Sequence, residues 1–160
     1  MENEFIDLIN RHPGILYKVC RAYGQQEADR QDLYQEIVLQ LWRAFPTFRN
    51  QANASTWMYR IAMNTAISDY RKSKRSYQAT PFSQLLHTLP DLSDEDTLPA
   101  EIAQLYEAIN QLTKIEKALI LLYLDDKRYD EIALIMGISK SNVGVKLNRI
   151  KAKLEKLVNA

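Results

Sequence analysis

The sequence predicts an all-α protein, built as two small helical domains joined by an acidic linker. Three observations predict it. Apolar residues recur at i, i+3 and i+4 through almost the whole chain, and no stretch alternates with the period of a strand. Only four of the 160 residues are glycine and 46% are apolar, which suits packed helices and argues against disorder throughout. Between two helical blocks, residues 76–107 hold six acidic side chains and no Lys or Arg, and Pro81, Pro90 and Pro99 punctuate the stretch. The expected organisation is an N-terminal domain over 1–75, a linker over 76–100 and a C-terminal domain over 101–160.

Taken in order, Phe5, Leu8 and Ile9 start a first helix that is interrupted near Pro13. Pro13-Gly14 opens a second segment, since proline fits the first helical turn, and Ile15, Leu16 and Val19 carry its apolar face. From Asp32 to Phe45 the run DLYQEIVLQLWRAF places Leu33, Ile37, Leu41 and Phe45 at i+4 and stops before Pro46. After a polar loop over 49–53, STWMYRIAMNTAISDYRKSKR reads as a further long helix, with Ser55 as its N-cap and a basic end that suits the helix dipole. The linker holds at most a helical turn around Leu85-Leu86. Beyond it, Ile102, Leu105, Tyr106, Ile109 and Leu112 form one stripe, and Thr113 to Glu116 match a capping box opening ALILLYL.

Net charge is +1, but it is unevenly distributed. Residues 31–75 carry seven basic and three acidic side chains, and residues 137–160 carry six and one. Two basic blocks flanking an acidic one suggest two contact points for a polyanion. Charge alone is met as simply by solvated helix faces. The single Cys20 excludes an internal disulfide and a cysteine-based metal site, and His12 and His87 lack zinc-ligand spacing. No apolar run reaches the roughly 20 residues that span a bilayer. The mixed, acidic opening MENEFIDLINRHPG does not read as a signal peptide, so a cytoplasmic protein is expected. Neither a paired-carboxylate nor a phosphate-loop constellation is present, so neither catalysis, a cofactor nor a small-molecule substrate is expected.

The most informative segment is YDEIALIMGISKSNVGVKLN, Tyr129 to Asn148, which has the layout of a helix-turn-helix. Gly137 permits the positive φ of a tight helix end, Ile138 plugs the corner and Ser139 caps the second helix. On that helix Val143, Leu147, Ile150, Leu154 and Leu157 form a core stripe. Opposite lie Ser141, Val145, Asn148 and Ala152, with Gly144 and Arg149 near the edges and Lys140, Lys146, Lys151 and Lys153 along the two flanks. A DNA major groove suits this arrangement: small or polar groups reach base edges, an apolar group meets thymine methyls, and cations face phosphates. A second candidate is TWMYRIAMNTAISDYRK, where Trp57, Tyr59 and Tyr70 interleave with Arg60, Arg71 and Lys72. Rings beside cations suit single-stranded nucleic acid. Spacing alone favours an ordinary core helix there.

Together these stretches resemble the small extracytoplasmic-function group of the sigma-70 family of bacterial RNA polymerase sigma factors. The resemblance is carried by DLYQEIVLQLWRAFPTF at 32–48, STWMYRIAMN at 55–64 and LTKIEKALILLYLDDKRYDEIALIMGIS at 112–139, in the family's order and spacing. It implies that Asp32, Leu33, Gln35, Glu36, Leu39, Gln40, Trp42 and Arg43 belong to the segment that grips the β′ clamp helices of core RNA polymerase. Leu33 is also expected in the core, which leaves Asp32, Gln35, Glu36, Gln40 and Arg43 facing the partner. Asn50, Gln51, Asn53, Ser55 and Thr56 match the loop that captures a flipped base of the start-proximal (−10) promoter element. Trp57, Tyr59, Arg60 and Asn64 match the adjacent helix that holds the melted strand, with Arg71 and Lys72 following. Lys140, Ser141, Asn142, Gly144, Val145, Lys146, Asn148 and Arg149 match the reader of the duplex upstream (−35) element, which in the family docks beside the β flap.

The resemblance also implies an anti-sigma factor as a partner and a linker threaded through polymerase channels. Asn50 stands where the family commonly has glycine, and Ala54-Ser55 where it has Phe-Arg. The expected function is promoter selection without catalysis. The rival is a free-standing helix-turn-helix regulator, which would bind duplex DNA without polymerase.

Overall fold

The computed structural model describes residues 1–48, 53–68 and 98–159. Among them every regular element is helical, as the apolar spacing predicts. Helix α1 (Glu2–Arg11) and helix α2 (Pro13–Tyr23) are separated at His12, which takes φ −129° and ψ 60°. The cause is Pro13: its ring disfavours helical geometry in the residue before it, yet fits the first turn of the helix that follows. Helix α3 (Glu27–Ala44) starts earlier than the expected Asp32. Its first turn carries Glu27 and Asp29, which the positive end of the helix dipole favours even though the apolar face has not begun. The chain then tightens into a 3₁₀ turn, Phe45–Thr47, around Pro46.

Helix α4 (Ala54–Ile67) is capped by Asn53, whose side chain accepts a hydrogen bond from the Ser55 backbone N–H at 2.9 Å. The cap is therefore Asn53 and not Ser55; the polar run offered several candidates, and only the backbone geometry selects one. Ser68 leaves the helix in extended geometry, and the basic continuation expected beyond it lies outside the described residues. So do the suggested turn at Leu85-Leu86 and most of the linker.

The C-terminal half comprises α5 (Ala100–Ile109), α6 (Lys114–Leu124), α7 (Tyr129–Met136) and α8 (Lys140–Val158). The expected capping box opens α6: the Thr113 hydroxyl accepts from the Glu116 N–H at 3.3 Å, and the Glu116 carboxylate accepts from the Thr113 N–H at 2.9 Å. Helix α6 closes with Asp126 at φ 61°, a left-handed residue that is not glycine. The Lys127 N–H reaches back to the Leu122 carbonyl at 3.0 Å, and the Asp126 N–H to that of Tyr123 at 3.1 Å. This pair of reversed bonds satisfies the last carbonyls of the helix.

Buried side chains form one contiguous apolar cluster running from Phe5 to Leu154. Helices α2, α3 and α4 pack on one another, α6 and α7 pack on α8, and the two halves meet where α2 and α4 contact α6 and α7. An aromatic ladder braces the N-terminal half. Trp42 meets Phe5 edge-on at 5.2 Å, Phe5 meets Phe45 at 5.3 Å, and Phe48 lies against Trp57 with ring centroids 4.5 Å apart.

Candidate nucleic-acid interface

The turn of the helix-turn-helix forms as its residues require. Gly137 sits at φ 72°, and its N–H donates to the Ala133 carbonyl at 2.8 Å while that of Ile138 shares the same acceptor at 3.2 Å. Ser139 then caps α8, its hydroxyl accepting from the Asn142 N–H at 3.2 Å. Val143, Leu147, Ile150 and Leu154 are buried, so the predicted stripe faces the core. Lys140, Ser141, Asn142, Val145, Lys146, Asn148 and Arg149 are all exposed on the other side, and Val145 is 49% exposed.

Gly144 lies at the edge of this face, as its spacing predicts, and on the side of α7. A Cβ built there would stand 3.5 Å from the Tyr129 ring of α7, in ordinary contact. Gly144 thus lies toward the seam between α7 and α8, because 100° of rotation from Val145 carries it to the flank beside α7.

Two further flank cations are drawn inward. The Lys151 ammonium sits 4.0 Å above the Tyr123 ring, and Lys153 pairs with Glu116 at 3.1 Å. Lys140, Lys146 and Arg149 make no ion pair among the described residues, which leaves three cations around a small, partly apolar face. Such a face can enter a major groove and meet phosphate walls at the same time.

The N-terminal site is arranged less as expected. On α3, Gln35 and Arg43 are exposed and Asp32, Gln40 and Trp42 are half-buried. Leu39 and Leu33 are buried. Glu36, expected to face a partner, is only 2% exposed and accepts a hydrogen bond from Gln40 Nε2 at 2.9 Å. The helical period explains the correction: Glu36 falls between Leu33, Ile37 and Leu39 on the inward side. The outward face of α3 is therefore narrower than its polar residues suggest.

Asn50 and Gln51 lie outside the described residues, as do Arg71 and Lys72. The ends of their loop are described. Phe48 precedes it and Trp57 follows it, and their rings lie against each other, tilted by 33°. Asn53 and Asn64 are exposed, Ser55 and Trp57 are half-buried, and Thr56 is buried.

Tyr59 is fully buried, which overturns its expected place on an open single-strand surface in this conformation. Its hydroxyl donates to Asp125 Oδ2 at 2.6 Å. Burial, reinforced by that carboxylate, pushes the phenol far above its ordinary value, so it remains a donor. Beside it, Lys127 Nζ donates to Ser55 Oγ at 2.5 Å, and Arg60 donates to the Leu134 carbonyl at 2.9 Å. Lys18 of α2 pairs with Asp125 Oδ1 at 2.5 Å. No periodicity argument could find Lys18 or Asp125, because they lie far apart in sequence and meet only when the halves pack.

The fold and these surfaces define a class: a two-part helical reader, with one face shaped for duplex DNA and another lined by hydroxyl, aromatic and cationic groups. Sigma-70 region 2 matches residues 8–76 and Sigma-70 region 4 matches residues 102–154. The chain belongs to the sigma-70 family of RNA polymerase sigma factors, in its extracytoplasmic-function group. It is a promoter-directing subunit of RNA polymerase, and the free-standing regulator is not favoured.

Among its relatives, the RNA polymerase sigma factor NccH of Alcaligenes xylosoxydans xylosoxydans is 25% identical, over 98% of this chain and 87% of its own. The ECF sigma factor SigX of Bacillus subtilis is 27% identical, over 89% of this chain and 77% of its own. Of solved structures, the sigma factor RpoE bound to the anti-sigma factor NepR, from Bartonella quintana, matches with a TM-score of 0.68 at 17% identity. That match covers 99% of this chain and 96% of the other, and it supports the fold.

Proposed function

We propose that the two halves divide promoter reading between them. Helix α8 enters the major groove of the upstream element, with Val145 toward base edges and Lys140, Lys146 and Arg149 toward phosphates. The observation that carries this reading is the exposed small and cationic face lying directly opposite the buried stripe of α8. The loop after Phe48 and helix α4 trap unpaired bases near the start site. Flipping a base costs on the order of a few kcal/mol, and stacking, phosphate contacts and the polymerase interface supply it.

Core polymerase is gripped by the outward residues of α3, namely Asp32, Gln35, Gln40, Trp42 and Arg43, against the β′ clamp helices, while the C-terminal half docks at the β flap. Domain limits at 1–75 and 101–160 follow from this division, with the acidic linker threaded between. The chain has no catalytic activity of its own and works in the cytoplasm. No helix among the described residues is long and apolar enough to cross a membrane. An anti-sigma factor is a further proposed partner, supported by the NepR-bound relative.

Reconstitution with core polymerase tests the proposal. Promoter-dependent transcripts are expected from a genomic fragment library, and their absence from every fragment would sink it.

A further inference from the structure

In this conformation the exposed face of α8 is open, whereas on α4 Tyr59 is buried and Ser55 and Arg60 beside it are bonded to the C-terminal half. Their partners lie on the turn that closes α6, with the end of α7 beside it. Asp125 holds Tyr59 through one carboxylate oxygen and Lys18 through the other, at 2.6 and 2.5 Å. Lys127 holds Ser55 at 2.5 Å, and the Leu134 carbonyl holds Arg60 at 2.9 Å. Left-handed Asp126 stands between Asp125 and Lys127, and the bonds that close α6 hold the turn in place.

A carboxylate seated between an ammonium and a phenolic hydroxyl takes the contacts that a backbone phosphate oxygen takes from the same donors. We infer that Asp125 is an internal phosphate mimic, which keeps the free protein closed and reserves Lys18 and Tyr59 as a phosphate site for melted promoter DNA. The inference rests on the assignment of α4 to the melted strand, and it adds Lys18, on α2, to that site.

Opening then exchanges one anion for another. Asp125 leaves, Lys18 and Tyr59 turn to a strand phosphate, and Arg60 and Ser55 are released together. Since only the open fraction can bind the strand, the apparent affinity falls in proportion to that fraction.

The test uses the full chain with Cys20→Ala and spin labels at exposed Asp7 and Glu155. A second readout is the affinity for a mixed-sequence single-stranded oligonucleotide without polymerase. The unmodified chain should give one short distance. Asp125→Ala should lengthen and broaden it and tighten strand binding about tenfold, a shift within the reach of a population change. Asp125→Asn, which keeps the shape, should do the same more weakly if Asp125→Ala fails to fold. Adding Lys18→Ala to the opened chain should remove most of the gained affinity.

An unchanged distance in Asp125→Asn and Asp125→Ala overturns the clasp. A lengthened distance with affinity insensitive to Lys18→Ala overturns the phosphate mimic. Failure of the α4 assignment looks different from either: the distance lengthens, but Arg60→Ala leaves strand binding in the opened chain and promoter opening with polymerase both untouched, which also overturns the inference.

Discussion

At Gly137 the backbone turns through φ 72°, and at Gly144 it does not leave the helix. The two glycines therefore respond oppositely to alanine. Gly137→Ala must place a Cβ in the left-handed region, at a cost of roughly 1–2 kcal/mol. Gly144→Ala adds a Cβ in ordinary contact with Tyr129 and removes a flexible residue from a helix interior. It should stabilise by about 0.5–1 kcal/mol, or about 1–4 °C in Tm. Thermal unfolding of both variants checks the pair, and upstream-element binding should survive Gly144→Ala. If binding is lost while the fold is stabilised, Gly144 serves close approach to DNA after all. Glu36 and Tyr59 teach a related lesson about residues: a polar side chain in a binding motif can be buried when a neighbouring group satisfies it.

At the scale of elements, the aromatic ladder joins the two sides of the loop proposed to trap promoter bases. Phe48 follows the 3₁₀ turn and Trp57 lies in the first turn of α4, and their rings meet with centroids 4.5 Å apart. Phe48→Ala removes a half-buried ring and its stacking partner's contact, which should cost about 1–3 kcal/mol. The more specific outcome is a split between functions. Permanganate reactivity of unpaired thymines in the open complex should fall severalfold, while retardation of duplex upstream DNA by the holoenzyme changes little. Equal losses in both would show that the ladder merely stabilises the fold. The turn after α6 is the second element that matters, because it aims Asp125 and Lys127 at the other half.

For the whole molecule, the junction between halves sets the response to pH and salt. Burial alone would raise the Asp125 carboxyl, but hydrogen bonds from Lys18 and Tyr59 and the charges of Lys18 and Lys127 outweigh it and hold the group below its ordinary 3.8. For Glu116 too, burial is the largest single influence and raises the carboxyl, but the hydrogen bonds of its capping box and of Lys153, with the Lys153 charge, together outweigh it and hold the group below 4.5. Both folded values lie below the unfolded ones, so their stabilisation is fully present above the unfolded values and disappears as pH falls through the folded ones. Unfolding free energy should hold steady with respect to these two groups from neutrality down to about pH 5 and then fall. Urea titrations across that range check this, and Asp125→Asn should flatten the acid limb. Asp125 therefore stays charged in the folded protein at neutral pH and contributes no pH response there. Salt is the lever that remains, since the partly exposed Lys18–Asp125 pair is screened by it.

How much was legible in the sequence differs between the two sites. The helix-turn-helix was read nearly complete, because its signals are local: Gly137 at the turn, Ser139 at the cap, Val143 and Leu147 at helical spacing inward, Val145 outward. The break at Pro13 and the capping box at Thr113 were legible for the same reason, since each depends on residues within one turn of a helix. The family likewise followed from ordered motifs. The engagement of Lys151 by Tyr123 and of Lys153 by Glu116 was not legible, because each depends on which neighbour lies across the gap between helices. The start of α3 and the burial of Glu36 do have local causes, the acidic first turn and the helical period, which the polar residues around them mask. Local patterning thus carries the helices, the outward face of α8 and the kind of protein. The meeting of Asp125 with Lys18 and Tyr59 belongs to the packed molecule alone. Their pairing follows from how the two halves pack, and no pattern along the chain encodes contacts between residues so far apart.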